Sequence, residues 1–263
     1  MFMRCQAQYK YRYVDGLKIP PSGAMFFGST LDKAVSENYR QKIETSEDMT
    51  SGQVAEAFVR EFEIGENLVE WNDEEPGDAM DEGVKMVRLH MEEVAPRIFP
   101  ATVQERMEFE GPGAGYSVVA ITDLTTKSGE IIDHKTTGKT PKKVGDDQYE
   151  MSHDHKFQGS VYNVAYRAAK GRDALRTTML YHVRTKVPKI IPIEVVSSDE
   201  QEGFAIGQIG RVAKAIDLAE THSNFLPNRG HFLCSATGCG YWKRCHEEYG
   251  PNEEVLNIIK ESK

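Results

Sequence analysis

No apolar run in the sequence approaches the roughly 18 to 20 residues that a membrane span requires. The N-terminus, MFMRCQAQYKYRY, lacks the apolar core of a secretory signal. A protein without membrane contact, located in the cytoplasm, is therefore expected. Cysteine is scarce, with four among 263 residues, and a reducing compartment argues against using them in disulfides. Internal repeats and low-complexity tracts are lacking. Positive charge is also in deficit, the formal net charge being −9, which at first opposes a nucleic-acid partner. What is present is 39% hydrophobic and 28% charged residues, the composition of a globular chain with a sizeable core. Its length suits one large domain, or a core with a smaller elaboration.

The distribution of charge changes the reading. Of 41 acidic and 32 basic residues, Glu61 to Glu93 holds 12 and 2, so the remainder carries 29 and 30. Within that nearly neutral remainder lie three basic patches: Arg4/Lys10/Arg12, Lys135/Lys139/Lys142/Lys143 and Arg184/Lys186/Lys189. Such patches permit DNA binding without demanding it, since ordinary solvated charge looks the same.

Periodicity and breakers predict the elements in order. Phe27 to Ile43, Ser51 to Trp71 and Asp78 to Ile98 read as helices, the last two separated by the acidic Asn72 to Gly77 loop. Thr102 to Glu110 reads as a strand. A hairpin follows, with strands Ser117 to Leu124 and Ile131 to Thr137 around the turn Lys127-Ser128-Gly129-Glu130. Gly138 to Asp147 reads as a loop, His153 to Gly171 as a helix, and Leu175 to Arg184 and Lys189 to Ser197 as strands. Asp199 to His222 reads as a helix capped by Ser198 or Asp199. Helices, strands, helix, strands, helix imply an α/β fold with a mixed sheet flanked by helices. Three regions of one integrated domain are expected: a helical part at 1–100, a core at 101–222, and a cysteine-bearing segment with a tail at 223–263.

The hairpin carries the chemistry. Asp123 closes its first strand, while Asp133 and Lys135, two apart on the second, project from one side. If the strands pair, Asp123 approaches Asp133. Two carboxylates suit a hard divalent cation such as Mg2+ or Mn2+, and an ammonium beside them suits a developing anion. His134, His153 and His155 lie nearby; residues 152–155, Ser-His-Asp-His, read as a polar helix start rather than a histidine site. Glu105 and Glu108 on the preceding strand read as structural. Cys5, Cys234, Cys239 and Cys245 form a set with a C-x4-C-x5-C spacing at its end. Spacing alone leaves disulfides, a Zn2+ site and an iron–sulfur cluster open.

Five motifs in order resemble the PD-(D/E)xK nuclease superfamily, and within it the RecB-like iron–sulfur branch. IIDHKTT is similar to the third motif of that family and AITDL to the Asp-bearing second. Gln158 and Tyr162 match the Q-x-x-x-Y helix. GSTLDKAV resembles the first motif, with Asp32 where the family usually has histidine. The early Cys5 with three late cysteines is similar to the cluster nucleases of AddB type, to CRISPR-associated RecB-like exonucleases and to phage relatives, although the first late gap is four residues here and two in several of them. The resemblance implies a restriction-endonuclease-like fold and a Mg2+- or Mn2+-dependent DNA exonuclease acting on single strands or ends. It implies metal ligands Asp32, Asp123 and Asp133, Lys135 serving the attacking water, and Gln158 and Tyr162 positioning substrate or lysine. It selects a 4Fe-4S cluster on Cys5, Cys234, Cys239 and Cys245 over Zn2+, tying the two termini together. Tyr9, Arg12, Lys139, Lys142 and Lys143 are expected to meet DNA. Recombination, repair, phage DNA processing or CRISPR-type adaptation, with recombination or replication proteins as partners, would be the setting. A catalytically silent DNA-binding or scaffold protein keeping the fold is the rival reading.

Overall fold

In the computed structural model, residues 1–71, 74–113, 115–146 and 148–251 are described. Asn72 and Asp73 of the acidic loop, the Asp147 end of the loop after the hairpin, and the tail at 252–263 lie outside the described residues. The chain forms two compact units, one made of Met1–Pro20 with Arg211–Lys263, the other of Pro21–Gly210.

The smaller unit begins with α1 (Gln6–Tyr9), which continues as a π-helical turn over Lys10–Val14. The larger unit starts with α2 (Gly23–Thr45), capped by Ser22, whose hydroxyl accepts the Met25 N–H. Left-handed Ser46 ends it. A reciprocal capping box between Thr50 and Gln53 opens α3 (Ser51–Gly65), and Pro76 at the first position opens α4 (Pro76–Glu93). The second and third sequence-read helices are thus shorter than expected. Short 3-10 turns, Glu66–Leu68 and Ala95–Arg97, take up their ends.

Five strands follow: β1 (Pro100–Glu110), β2 (Ser117–Thr126), β3 (Glu130–Thr137), β4 (Arg176–Val183) and β5 (Lys189–Glu194). Their spatial order equals their chain order. The pairs β1–β2, β2–β3 and β4–β5 are antiparallel, and β3–β4 is parallel. Two parallel neighbours need a crossover, and α5 (His153–Lys170) supplies it, capped by Ser152 and ended by left-handed Gly171. The unit closes on the first half of α6 (Asp199–Thr221), where Ser198 and Gln201 exchange backbone-to-side-chain bonds. In the smaller unit the chain ends its described part in α7 (Trp242–Tyr249). The mixed, helix-flanked sheet read from the sequence is the fold. Among the described residues no helix is long and apolar enough to cross a membrane.

The sheet separates two cores. On one face, α2, α3 and α4 bury Phe27, Leu31, Tyr39, Phe58, Phe62 and Met86 against Leu124, Ile132 and Leu180. On the other, α5 buries Tyr162, Ala165 and Tyr166 against Met107, Ala120 and Ile131. Each large apolar side chain removed from water contributes about 1.5–3 kcal/mol, so both helical layers are held firmly. Ile131 and Ile132 are consecutive on β3 and enter opposite cores, as strand alternation requires. Asp133 and His134 inherit the same two directions.

Candidate active site

The site grows from the middle of β3. Asp133 is 2% exposed and points toward α5, where the Tyr162 hydroxyl donates to its Oδ1 at 2.9 Å and the Gln158 amide donates to the same oxygen at 3.2 Å. Its Oδ2 forms an ion pair with Lys135, two residues on. The expected shared side of Asp133 and Lys135 is therefore seen. Gln158 and Tyr162 are one turn apart and bonded to each other at 2.6 Å. They hold Asp133, not the lysine. Burial, with the Asp133 charge beside it, pushes the Tyr162 phenol far up, so it stays a donor.

On the opposite side of β3, His134 faces α2. A Cβ on Gly28 would come within 2.8 Å of Thr136 Oγ1, so the first-motif glycine lets α2 lie close to β3 and sets Asp32, one turn later, over the sheet. Asp32 Oδ1 is 2.9 Å from His134 Nδ1. Asp123 lies three residues inside β2 rather than closing it, because β2 runs on to Thr126. Its Oδ2 accepts the His134 backbone N–H at 2.8 Å, just beyond the Leu124–Ile132 pair of the hairpin. Ligand atoms of Asp32, Asp123 and His134 all lie within 4.8 Å of one another. The motif resemblance points to Asp133 as the third ligand and not to His134. The structure gathers His134 with Asp32 and Asp123, while Asp133 stands beside them with Lys135.

The electrostatics follow from crowding. Burial raises the Asp123 carboxyl from 3.8 to about 6, with Asp133 and Asp32 adding to the rise while His134 opposes it. Burial pulls the His134 imidazole down, but its contact with Asp32 and the charges of Asp123 and Asp133 outweigh this and leave it raised. Behind it runs a buried chain: Tyr39 hydroxyl to His90 at 2.7 Å, and His90 to His182 at 2.9 Å. Burial and the neighbouring imidazoles hold His90 well down, and burial and His134 bring His182 to about 3. These neutral rings pack edge-on against His134, with centroids 5.5 and 5.6 Å away, and fix its plane. Sequence pattern carried no signal for this chain, whose members come from α2, α4 and β4.

The remaining expected residues divide. Lys139, Lys142 and Lys143 are exposed in the loop after β3. His155, in the first turn of α5, reaches the Tyr181 hydroxyl at 2.5 Å. In the smaller unit, Arg12 is exposed, lying over the Tyr13 ring. Tyr9 packs edge-on against Phe2 and stacks with Phe225, so its ring surface is committed to packing. Cys5, Cys234, Cys239 and Cys245 are all unpaired and border one cavity. Among the described residues no three of their sulfurs lie within 4.8 Å of one another. Gln8 Nε2 donates to Cys239 Sγ at 3.0 Å, and the Asn228 backbone N–H to Cys5 Sγ at 3.4 Å. Burial pushes the Cys245 thiol up, and the other three cysteines add to it.

Carboxylates and a lysine presented from adjacent strands of a mixed, helix-flanked sheet are the mark of the restriction-endonuclease-like architecture. The chain belongs to the PD-(D/E)XK nuclease superfamily, whose model it matches over residues 1–246. Among solved structures it is similar to a Eubacterium rectale protein described as a candidate exonuclease, with a TM-score of 0.57 and 18% identity over 91% of this chain and 80% of that one. A second structure, SSO0001, matches at a TM-score of 0.38 with 15% identity, covering 82% of this chain and 84% of that one, too loosely to argue from. No curated protein matches the sequence.

Proposed function

We propose that the protein is a divalent-cation-dependent DNA exonuclease of the RecB-like iron–sulfur branch, acting on single strands or DNA ends. The observation that carries this is the buried Asp133, held by Tyr162 and Gln158 and paired with Lys135 beside the Asp32–Asp123–His134 group. Two carboxylates and an imidazole at these separations fit a cation: three acidic side chains crowd there, and Asp123 carries the strain as its raised carboxyl. Oxygen donors suit Mg2+ or Mn2+, and the nitrogen favours Mn2+ of the two. When bound, the ion would neutralise a phosphate oxygen and acidify a water. Lys135 would hold that water by its ammonium and meet the charge growing on the phosphate. Tyr162 and Gln158 keep Asp133 from turning away from the lysine. The exonuclease reading draws support from the motif resemblance and from the description of the Eubacterium rectale protein.

The motif resemblance favours an iron–sulfur cluster over zinc for the cysteines. All four are unpaired and border one cavity, where N–H donors reach Cys239 and Cys5, and such a cluster takes four thiolates. Its part would be to join residues near both ends of the chain within the smaller unit.

Single strands labelled at the 5′ or the 3′ end, incubated with Mg2+ or Mn2+, test the enzyme. Wild type degrades them and Asp133→Ala does not; no degradation, or equal degradation by the variant, would sink the reading. A brown, iron-containing preparation is expected, and a colourless, zinc-loaded one would overturn the cluster.

A further inference from the structure

Gln104 sits in the middle of β1 with φ +53, a left-handed backbone that a glutamine enters only when its surroundings force it. Its cross-strand neighbours, Val103–Leu124 and Glu105–Thr122, place it opposite Asp123. Its amide nitrogen is 2.7 Å from Asp32 Oδ2 and 3.4 Å from Asp123 Oδ1.

The strained residue marks a place where both strands reverse their facing. Val103 packs on the α2–α4 core and Met107 on the α5 core, although both are odd-numbered on one strand. Leu124 and Ala120, both even-numbered on β2, divide in the same way. Strict alternation forbids this, so the inversion falls at the Gln104–Asp123 level. Its consequence is local. Val103 and Gln104 are adjacent yet both turn toward α2, while Glu105 turns to Lys170 of α5. Without the left-handed residue the Gln104 side chain would leave the site.

We propose that Gln104 is a fourth side chain of the cation site, a neutral oxygen ligand that is held in place between Asp32 and Asp123 until the ion arrives. This rests on the reading of that group as a metal site. The amide N–H donors reach both carboxylates and relieve their repulsion. The terminal amide torsion is broad and roughly two-fold, so a half-turn about it replaces the donors with the carbonyl oxygen, an acceptable ligand for Mg2+ or Mn2+. The strain at φ +53 is then the means by which a strand residue reaches a site set by a helix and a neighbouring strand.

Glycine is the informative substitution, because it adopts positive φ freely and removes only the amide. Mn2+ binding to the intact chain, followed by calorimetry and by the electron paramagnetic resonance of free Mn2+, is measured for wild type, Gln104→Gly and Gln104→Glu. Gln104→Gly is expected to bind Mn2+ about 10-fold or more weakly while keeping a cooperative melting transition, which shows that it folds. Gln104→Glu, with an anionic oxygen in place, is expected to bind at least as tightly as wild type. Gln104→Gly binding like wild type would overturn the proposal, as would Gln104→Glu binding more weakly than Gln104→Gly, which would leave the amide as a donor only. No Mn2+ binding by wild type would overturn the metal-site reading itself.

Discussion

Asp123 is held buried against its own charge, and Asp123→Asn measures the cost. Its carboxyl rises from 3.8 to about 6, through burial and then through Asp133 and Asp32, against the opposing His134. A raised carboxyl in the folded state means that the charged form is disfavoured there. The group therefore stabilises the fold below about pH 4, and that contribution is lost as pH rises through 6. About two pKa units at 1.36 kcal/mol each amount to about 3 kcal/mol by pH 7.5. Asparagine keeps an oxygen to accept the His134 N–H and carries no charge, so it should recover much of that sum.

Urea unfolding without divalent cations, for wild type and Asp123→Asn at pH 4.5 and 7.5, reads this directly. The variant should be more stable by about 1–3 kcal/mol at pH 7.5, with the gap shrinking toward pH 4.5. Mn2+ should close or reverse this gap, since an ion at 100 times its dissociation constant stabilises wild type by about 2.7 kcal/mol and the variant, with a neutral amide in place of a carboxylate, binds it more weakly. A gap independent of pH, or a variant less stable than wild type at pH 7.5 without cation, would refute the reasoning.

Tyr162→Phe removes a hydroxyl from the buried Asp133 and leaves the ring in the α5 core; the fold should lose about 1.5–3 kcal/mol in urea unfolding. DNA cleavage should slow with DNA affinity unchanged, as read by kcat against KM. Cys239→Ser should lower bound iron and bleach the brown colour while cysteines 5, 234 and 245 remain, as iron assay and absorbance report. Gly83→Ala should destabilise by about 1–3 kcal/mol, because a Cβ there would meet the fully buried Phe58 ring at 1.9 Å; a melting temperature equal to wild type would show that the ring yields freely.

Much of the fold was legible because its signals are local. Caps at Ser152 and Ser198, the turn around Gly129 and two-residue alternation each act within a few positions, and the elements appear where these place them. Ends were less legible. Asp123 looked like the close of a strand because Thr125-Thr126 is polar, yet both threonines are nearly fully buried, 2% and 7% exposed. Helices α3 and α4 looked longer because a 3-10 turn continues the same apolar spacing for three residues.

The site was legible where chemistry and spacing coincide, and dark where the structure breaks its own periodicity. Asp133 and Lys135 share a face by simple alternation, and Gln158 and Tyr162 by one helical turn. His134, between Asp133 and Lys135, reads from the sequence only as one of three nearby histidines; it takes α2 to bring Asp32 to its side of β3. The substitution of Asp32 for the usual histidine then gains a physical sense. On the proposed metal-site reading, a carboxylate on α2 and an imidazole on β3 would supply the same pair of donors as the reverse arrangement, from exchanged positions. Gln104 was wholly unreadable, since a glutamine in a strand signals nothing until its backbone is seen to be left-handed. Single-residue strain of this kind has no compositional trace, and here it sets the Gln104 side chain beside Asp32 and Asp123.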